Sequence, residues 1–337
     1  MSETPILEVR DLRVEIPLTR GTVHAVQSAS FTVEPGQALG LVGESGCGKS
    51  MTLRAILGLL PQPGHITGGE IRFEGDDLAN ADPKRLREVR GARIGIIFQE
   101  PMTALNPVMR VGDQIAEGPR VHLRKSRSEA RETALELMRK VGIPDPARRA
   151  QAYPHELSGG MRQRVMIAIA LSCEPRLILC DEPTTALDVT IQDQILKLLS
   201  AMRRDLGVSV VFVTHDLAVV AETCERIAVM YAGQVVETGT VDEVFRAPRH
   251  PYTLGLLRSV PRFDVVRQSL DSIPGQPPDL VAPPTGCPFQ PRCGFAREDC
   301  LEGDFPLRRL GPGRATACIH DDDCAQDVSA NPVIASV

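Results

Sequence analysis

GESGCGKS, Gly43 to Ser50, fits the phosphate-binding pattern G-x-x-x-x-G-K-[ST] and sits in the context that such a loop needs. Ala38 to Val42 before it is a short apolar strand, and the residues from Lys49 to about Leu59 read as a helix. A glycine-rich turn between strand and helix lets backbone N–H groups converge on phosphate oxygens, reinforced by the positive helix end. Gly43, Glu44, Ser45, Gly46, Cys47, Gly48, Lys49, Ser50 and Met51 are therefore the candidate nucleotide contacts. Lys49 is expected to reach the β- and γ-phosphates, and Ser50 to ligate Mg2+. Cys47 has two readings. Either any small residue fits there, or its thiol has a pKa lowered by Lys49 and the helix N-terminus.

RLILCDEP, Arg176 to Pro183, is an apolar strand ending in two carboxylates. Taken alone, that is an ordinary strand end. About 130 residues beyond a phosphate loop, it reads as the acidic half of a nucleotide site. Asp181 is then expected to hold Mg2+ through water, and Glu182 to accept the proton of the attacking water.

LSGGMRQ, Leu157 to Gln163, puts Ser158, Gly159 and Gly160 at a helix start, where bare N–H groups and the positive helix end meet the surface. Ser158 is also suited simply to cap that helix. Between the other two motifs, this string resembles the signature of the ATP-binding cassette (ABC) family. The resemblance implies that the segment binds the γ-phosphate of ATP held by an opposite subunit, two composite sites forming when two cassettes meet head to tail. It also gives roles to weaker marks. Gln99, after the strand Ile94–Phe98, matches the glutamine that senses the γ-phosphate and Mg2+. Ala186–Leu187–Asp188 matches the loop that crosses the dimer interface, and His215, after Val208–Val213, matches the histidine that contacts the γ-phosphate. One family mark is missing: no aromatic residue stands between Leu18 and Val26 to stack on adenine, where Val23 or His24 would have to serve.

The bulk properties agree with this reading. A chain of 337 residues accommodates one large domain and a smaller one. A net charge of -5 leaves no basic footprint for nucleic acid. No apolar run approaches the ~18 residues that a membrane helix needs, and Met1 to Arg13 lacks the apolar core of a signal peptide. Any membrane role is thus expected to be exercised by docking onto other chains. Strands are expected at 6–16, 29–34, 38–42, 70–73, 94–98, 177–181, 208–213, 226–231 and 234–237. Helices are expected at 49–59, 83–90, 159–172 and 190–204, with helical periodicity from Val111 to about Ala150. The alternation predicts an α/β fold with a mainly parallel core sheet, an antiparallel β edge and an inserted helical subdomain at about 100–170; together with the resemblance above, this implies the P-loop ABC ATPase fold. The nucleotide-binding domain is expected over 1–245.

Beyond Phe245 proline becomes frequent and apolar runs vanish. Residues 246–337 read as a small Cys/Pro-rich C-terminal domain with a boundary near 246–262, a core that is not mainly hydrophobic, and a flexible tail. HPYTLGLLRSVP (His250 to Pro261), IPGQPPDL (Ile273 to Leu280) and GCPFQPRC (Gly286 to Cys293) resemble the tail of the oligopeptide/dipeptide importer cassettes. This implies an ATPase that powers import of di- or oligopeptides, with nickel and opines as the cargo of related systems. Its implied partners are a second, similar cassette in a heterodimer, two membrane-spanning permeases and an extracytoplasmic binding protein, with this chain peripheral at the cytoplasmic face of the inner membrane. The coupling surface is implied at about 99–150. Soluble ABC ATPases of DNA repair carry long coiled coils between their motifs, and ribosomal ones carry two cassettes. Here about 110 residues separate one phosphate loop from one signature.

Five of the nine cysteines fall in the last 51 residues; of the others, Cys173, Cys180 and Cys224 read as small core residues. Cys287, Cys293, Cys300 and Cys318 follow C-x5-C-x6-C-x17-C, with Cys324 over. Structural zinc (Zn2+) favours a close C-x2-4-C pair, and none exists. Free thiols leave the clustering unexplained. A [4Fe–4S] cluster needs four thiolates without tight knuckles, and the resemblance implies one at this place, as some members of that importer family carry.

Overall fold

A computed structural model describes residues 4–185, 187–260 and 272–330. Ala186 of the expected interface loop, residues 261–262 of the expected boundary and the end of the tail at 331–337 lie outside the described residues. The chain opens with β1 (Leu7–Leu18), β2 (Gly21–Val33), β3 (Ala38–Val42), α1 (Lys49–Ile56), β4 (His65–Phe73) and β5 (Asp76–Asp77). Then follow α2 (Pro83–Val89), β6 (Ile94–Ile97), α3 (Pro101–Ala104), α4 (Val111–His122), α5 (Arg127–Lys140) and α6 (Pro146–Arg149). Next come α7 (Gly159–Leu171), β7 (Leu177–Asp181), α8 (Val189–Leu206) and β8 (Ser209–Thr214). The last stretch holds α9 (Leu217–Thr223), β9 (Arg226–Tyr231), β10 (Gln234–Thr240), α10 (Val241–Arg246), α11 (Pro251–Arg258), β11 (Arg308–Gly311), β12 (Arg314–Thr316) and α12 (Asp321–Ala330). Among the described residues no helix is long and apolar enough to cross a membrane.

Backbone contacts divide the chain into two units. The first gathers the described residues of Ser2–Val33, Ala38–Ala79 and Thr214–Val337. Its strands run in the order β5-β4-β1-β2-β10-β9-β3. β1 pairs antiparallel with both β2 and β4, whereas β3 runs parallel to β9. In β1 the buried Leu7, Val9, Leu12 and Val14 interrupt exposed polar positions, the pattern of an antiparallel edge with one covered face. β3 is buried at all five positions, as befits a strand covered on both faces. β2 begins at Gly21 rather than near residue 29. Its first half, GTVHAVQS, is largely half-buried and mixed in polarity, so it carries no apolar run to announce it.

The C-terminal stretch departs from expectation. β12 pairs with β10 (Glu237↔Thr316), so the tail adds strands to the sheet. Nor is its core thin in apolar groups. Tyr252 and Phe289 pack on Tyr231 of β9, with ring centroids 4.5 and 5.3 Å away, and Leu254 and Leu257 are buried beside them. The tail looks poor in hydrophobic residues because it borrows apolar surface from β9.

The second unit holds Glu34–Gln37 and Asn80–Val213. β6, β7 and β8 pair in parallel, Ile94 opposite Leu177 and Leu177 opposite Ser209. β7 and β8 are buried throughout. Helices α3 to α7 fill the expected insertion. The single helical stretch read from 111 to 150 is broken after His122, because Ser126 and Glu129 start a new helix as a reciprocal capping box. Glu129 N–H donates to Ser126 Oγ at 3.3 Å, and Ser126 N–H to Glu129 Oε2 at 2.8 Å.

Candidate nucleotide site and cysteine pocket

In the first unit the phosphate loop joins β3 to α1. Two of its glycines are obligatory on steric grounds. A Cβ on Gly43 (φ 153°) would stand 2.0 Å from the carbonyl oxygen of Met230, and one on Gly48 (φ 104°) 2.4 Å from that of Ala25. The loop is tied to the β9–β10 turn through Gly233 N–H, which donates to Cys47 O at 2.9 Å. Lys49 is buried under the loop. Its Nζ donates to Gly43 O at 2.7 Å and Glu44 O at 2.9 Å, so the ammonium is held at the hollow that the loop forms. Ser45 and Gly46 are exposed at the loop crest; Ser50 and Met51, at the start of α1, are half-buried.

Cys47 is 5% exposed, and burial pushes its thiol pKa up even though Lys49 Nζ lies 3.7 Å from Sγ. The reading of a lowered pKa is therefore corrected: desolvation outweighs the neighbouring cation, leaving a small core residue. Cys173, Cys180 and Cys224 are buried too.

Glu44 is the loop residue whose role the sequence did not reveal. Its N–H donates to Tyr252 Oη at 2.8 Å. Both its carboxylate oxygens accept from Arg292, Oε2 from Nη1 at 2.7 Å and Oε1 from Nη2 at 3.0 Å. Arg292 lies in the GCPFQPRC string, where the cysteines drew the attention; a buried arginine beside them was the available signal.

His24, one stand-in for an adenine-stacking residue, lies with Val23 inside β2 rather than in a loop. Its N–H donates to Leu280 O at 2.9 Å, so the C-terminal segment runs alongside. His215, exposed, stands between β8 and α9 in the same unit.

In the second unit, β7 delivers Asp181, buried, at its last position, and Glu182 follows with φ 46°, a strained conformation for a residue with a side chain. Glu182 N–H donates to Val213 O at 3.0 Å, which fixes the turn. Its Oε2 accepts from Gln99 Nε2 at 2.9 Å and from Thr185 Oγ1 at 2.8 Å. Gln99 and Glu182, 83 positions apart, are thus brought into direct contact. At the signature, Ser158 caps α7 by accepting from Met161 N–H at 3.4 Å. Gly159 is exposed; a Cβ on Gly160 would press on Ile191 of α8 at 3.0 Å. Asp188 caps α8, its Oδ1 accepting from Ile191 N–H at 3.0 Å.

The four cysteines Cys287, Cys293, Cys300 and Cys318 line one pocket in the first unit, with Phe289, Phe295 and His320. Burial pushes the Cys293 thiol up to about 11 and that of Cys318 to about 12. Cys324 is fully buried in α12 and is not among the pocket's walls. Among the described residues, the group whose ligand atoms lie within 4.8 Å of one another is Asp299, Cys300 and His320. Thiolates around a single zinc, at Zn–S of about 2.3 Å, stand closer together than these four do. The free space between them is about 20 Å³, roughly that of one water. In kind and number the four thiols suit an iron–sulfur cluster, whose cube needs a wider space than this pocket offers.

Comparison with known proteins decides between the families that such loops serve. The family described as ABC transporter matches residues 26–185, and the oligopeptide/dipeptide transporter C-terminal region matches 236–300. A probable peptide ABC transporter ATP-binding protein, y4tR of Sinorhizobium fredii, is 52% identical over 93% of this chain and 94% of its own length. The chain belongs to the ABC transporter family. Among other relatives of the ABC chain, the oligopeptide transport ATP-binding protein OppD of Bacillus subtilis is 50% identical over 91% of it and 86% of OppD. OppD of Escherichia coli is 48% identical over 93% of it and 92% of OppD. The dimeric ATP-binding cassette MJ0796, solved in a post-hydrolysis state with ADP and Pi, has a TM-score of 0.63 at 30% identity, covering 70% of this chain and 98% of that one. The protein is an ABC ATPase, and the P-loop cassette fold expected from its motifs is the one it has.

Proposed function

We propose that this chain hydrolyses ATP to power the import of di- or oligopeptides. The observation that carries the cargo class is near-full-length identity of about one half with proteins described as peptide import and oligopeptide transport ATP-binding proteins, together with the match to the specialised C-terminal region. As part of this proposal, nucleotide binding is assigned to a domain over 1–245 and the specialised C-terminal region to 246–337.

In this reading the loop Gly43–Ser50 wraps the phosphates, Lys49 leaves the loop carbonyls for the β/γ-oxygens, and His215 donates to the γ-phosphate. Glu182 accepts the proton of the attacking water, in a conformation fixed by Val213 and Thr185. Gln99, bonded to that carboxylate, links the hydrolytic residue to the helical insertion. Ser50, Gln99 and the buried Asp181 would hold Mg2+, which neutralises phosphate charge when bound. Ser158, Gly159, Gly160 and Asp188 face the nucleotide of a second cassette, most simply in a heterodimer. That dimer engages two permeases, which receive cargo from an extracytoplasmic binding protein, with this chain at the cytoplasmic face of the membrane.

The test is transport itself. Proteoliposomes holding the permeases, both cassettes and ATP should accumulate peptide only when the binding protein is supplied. Uptake of nickel but not peptide by the same vesicles would replace the cargo assignment. For the cysteine pocket we propose a [4Fe–4S] cluster on Cys287, Cys293, Cys300 and Cys318, whose thiolate ligation supplies folding free energy to the tail. Anaerobic purification should yield about four iron and four sulfide per chain, lost in Cys293→Ser. One zinc without sulfide, or neither metal, contradicts it.

A further inference from the structure

The phosphate loop contains an acidic side chain that phosphate chemistry does not ask for. Glu44 follows Gly43 directly, in a loop that receives a polyanion, and a bare carboxylate there repels the ligand and competes for the N–H groups that should meet phosphate. The fold answers with two residues of the C-terminal stretch. Arg292 forms a two-pronged ion pair with Glu44, the N···O distances being 2.7 and 3.0 Å. Tyr252 accepts the Glu44 N–H at 2.8 Å.

Arg292 is itself rigidly placed. Its side chain is only 4% exposed. Nε donates to Pro274 O at 2.8 Å, Nη1 also reaches Tyr231 Oη at 3.3 Å, and the guanidinium lies 5.7 Å from the centre of the Tyr231 ring. Tyr231 packs in turn on Tyr252 and Phe289. The guanidinium is therefore aimed before any ligand arrives, and a planar fork is suited to hold one carboxylate in one orientation. Arg292 stands between Cys287 and Cys293 in the chain, so whatever orders those thiols also orders the guanidinium.

We infer that Arg292 is a positioning residue for the nucleotide site. By neutralising Glu44 and drawing it towards the C-terminal stretch, it keeps the phosphate loop open to ATP, and so the C-terminal stretch sets nucleotide affinity. This rests on the assignment of Gly43–Ser50 as the ATP-binding loop, and goes beyond it by giving the specialised tail a function at that loop.

The test is equilibrium binding of fluorescent ATP and ADP analogues to the full chain, with a melting curve for each variant. Arg292→Met should raise the ATP Kd by about 3- to 30-fold, and the ADP Kd by less, because the exposed carboxylate repels the more highly charged ligand more strongly. Glu44→Gln combined with Arg292→Met should recover most of the loss, since no uncompensated charge remains. Arg292→Lys, which keeps the charge without the fork, should fall between. A folded Arg292→Met with wild-type affinity overturns the inference, and so does a loss that Glu44→Gln does not relieve. Should Arg292→Met fail to fold, Arg292→Lys and the double variant carry the comparison, and either wild-type affinity in Arg292→Lys or an affinity in the double variant well below that of Glu44→Gln alone overturns it. Absence of ATP binding in the wild-type chain would instead refute the loop assignment on which it rests.

Discussion

Glu182 occupies a backbone conformation that costs energy, and it is held there by Val213, Thr185 and Gln99. That expense is understandable if the carboxylate must face one attacking water. Glu182→Gln keeps the shape and removes the base, so hydrolysis at this site should fall by about 10²–10³, while ATP binding persists; single-turnover phosphate release checks it. Gly48→Ala drives a methyl onto the Ala25 carbonyl and should cost more than about 1 kcal/mol, along with ATP affinity. Chemical denaturation with and without ATP measures both. Cys47 should react slowly with alkylating agents whether or not ATP is present, because its thiol is buried and its pKa raised. Rapid labelling blocked by ATP would restore the reading that the structure overturned.

Glu237, in β10, shows how the C-terminal stretch is fastened. It is fully buried and accepts the N–H groups of Arg249 at 2.8 Å and His250 at 3.0 Å, just ahead of α11. His250 Nδ1 accepts the Tyr252 N–H at 3.1 Å, and burial holds the imidazole pKa down at about 3, so the ring is neutral with its proton on Nε2. Burial pushes the Glu237 carboxyl from 4.5 to about 7. The folded chain therefore retains a proton that the unfolded chain gives up, and the associated stability is complete below about pH 4.5 and lost as pH rises to about 7. Relative to Glu237→Gln, the wild type should lose about 3 kcal/mol across that window. Parallel denaturant titrations at pH 5 and pH 8 measure the difference, and an unchanged gap contradicts the buried charge.

Elements differ in how openly the sequence announces them. β3 and β7 are short and apolar, one running into the glycine-rich loop and the other ending in Asp181, so both strands were legible. The Ser126–Glu129 capping box was equally readable, yet uniform helical periodicity from 111 to 150 hid the break it makes. β11 and β12 could not be read. Arg308–Gly311 and Arg314–Thr316 have no apolar alternation, and they become strands because β10 offers them a partner. The phosphate loop is a local motif and was legible as a strand–loop–helix turn; the Arg292–Glu44 pair, 248 positions apart, depends on tertiary packing and was not.

For the molecule as a whole, the chain is an ABC ATPase, and relatives that match nearly its full length are described as peptide transporter and putative peptide import ATP-binding proteins. In the proposed transporter, two cassettes closing on ATP and reopening after hydrolysis would supply the motion that permeases need. Phosphate release by the reconstituted transporter, with and without peptide-loaded binding protein, tests this most directly. Wild-type turnover should rise with the loaded binding protein, and Glu182→Gln in this chain should remove at least about half of it, since one of two composite sites is silenced. Turnover indifferent to peptide, or undiminished in Glu182→Gln, would contradict the assignment of this chain as the ATPase of a peptide importer.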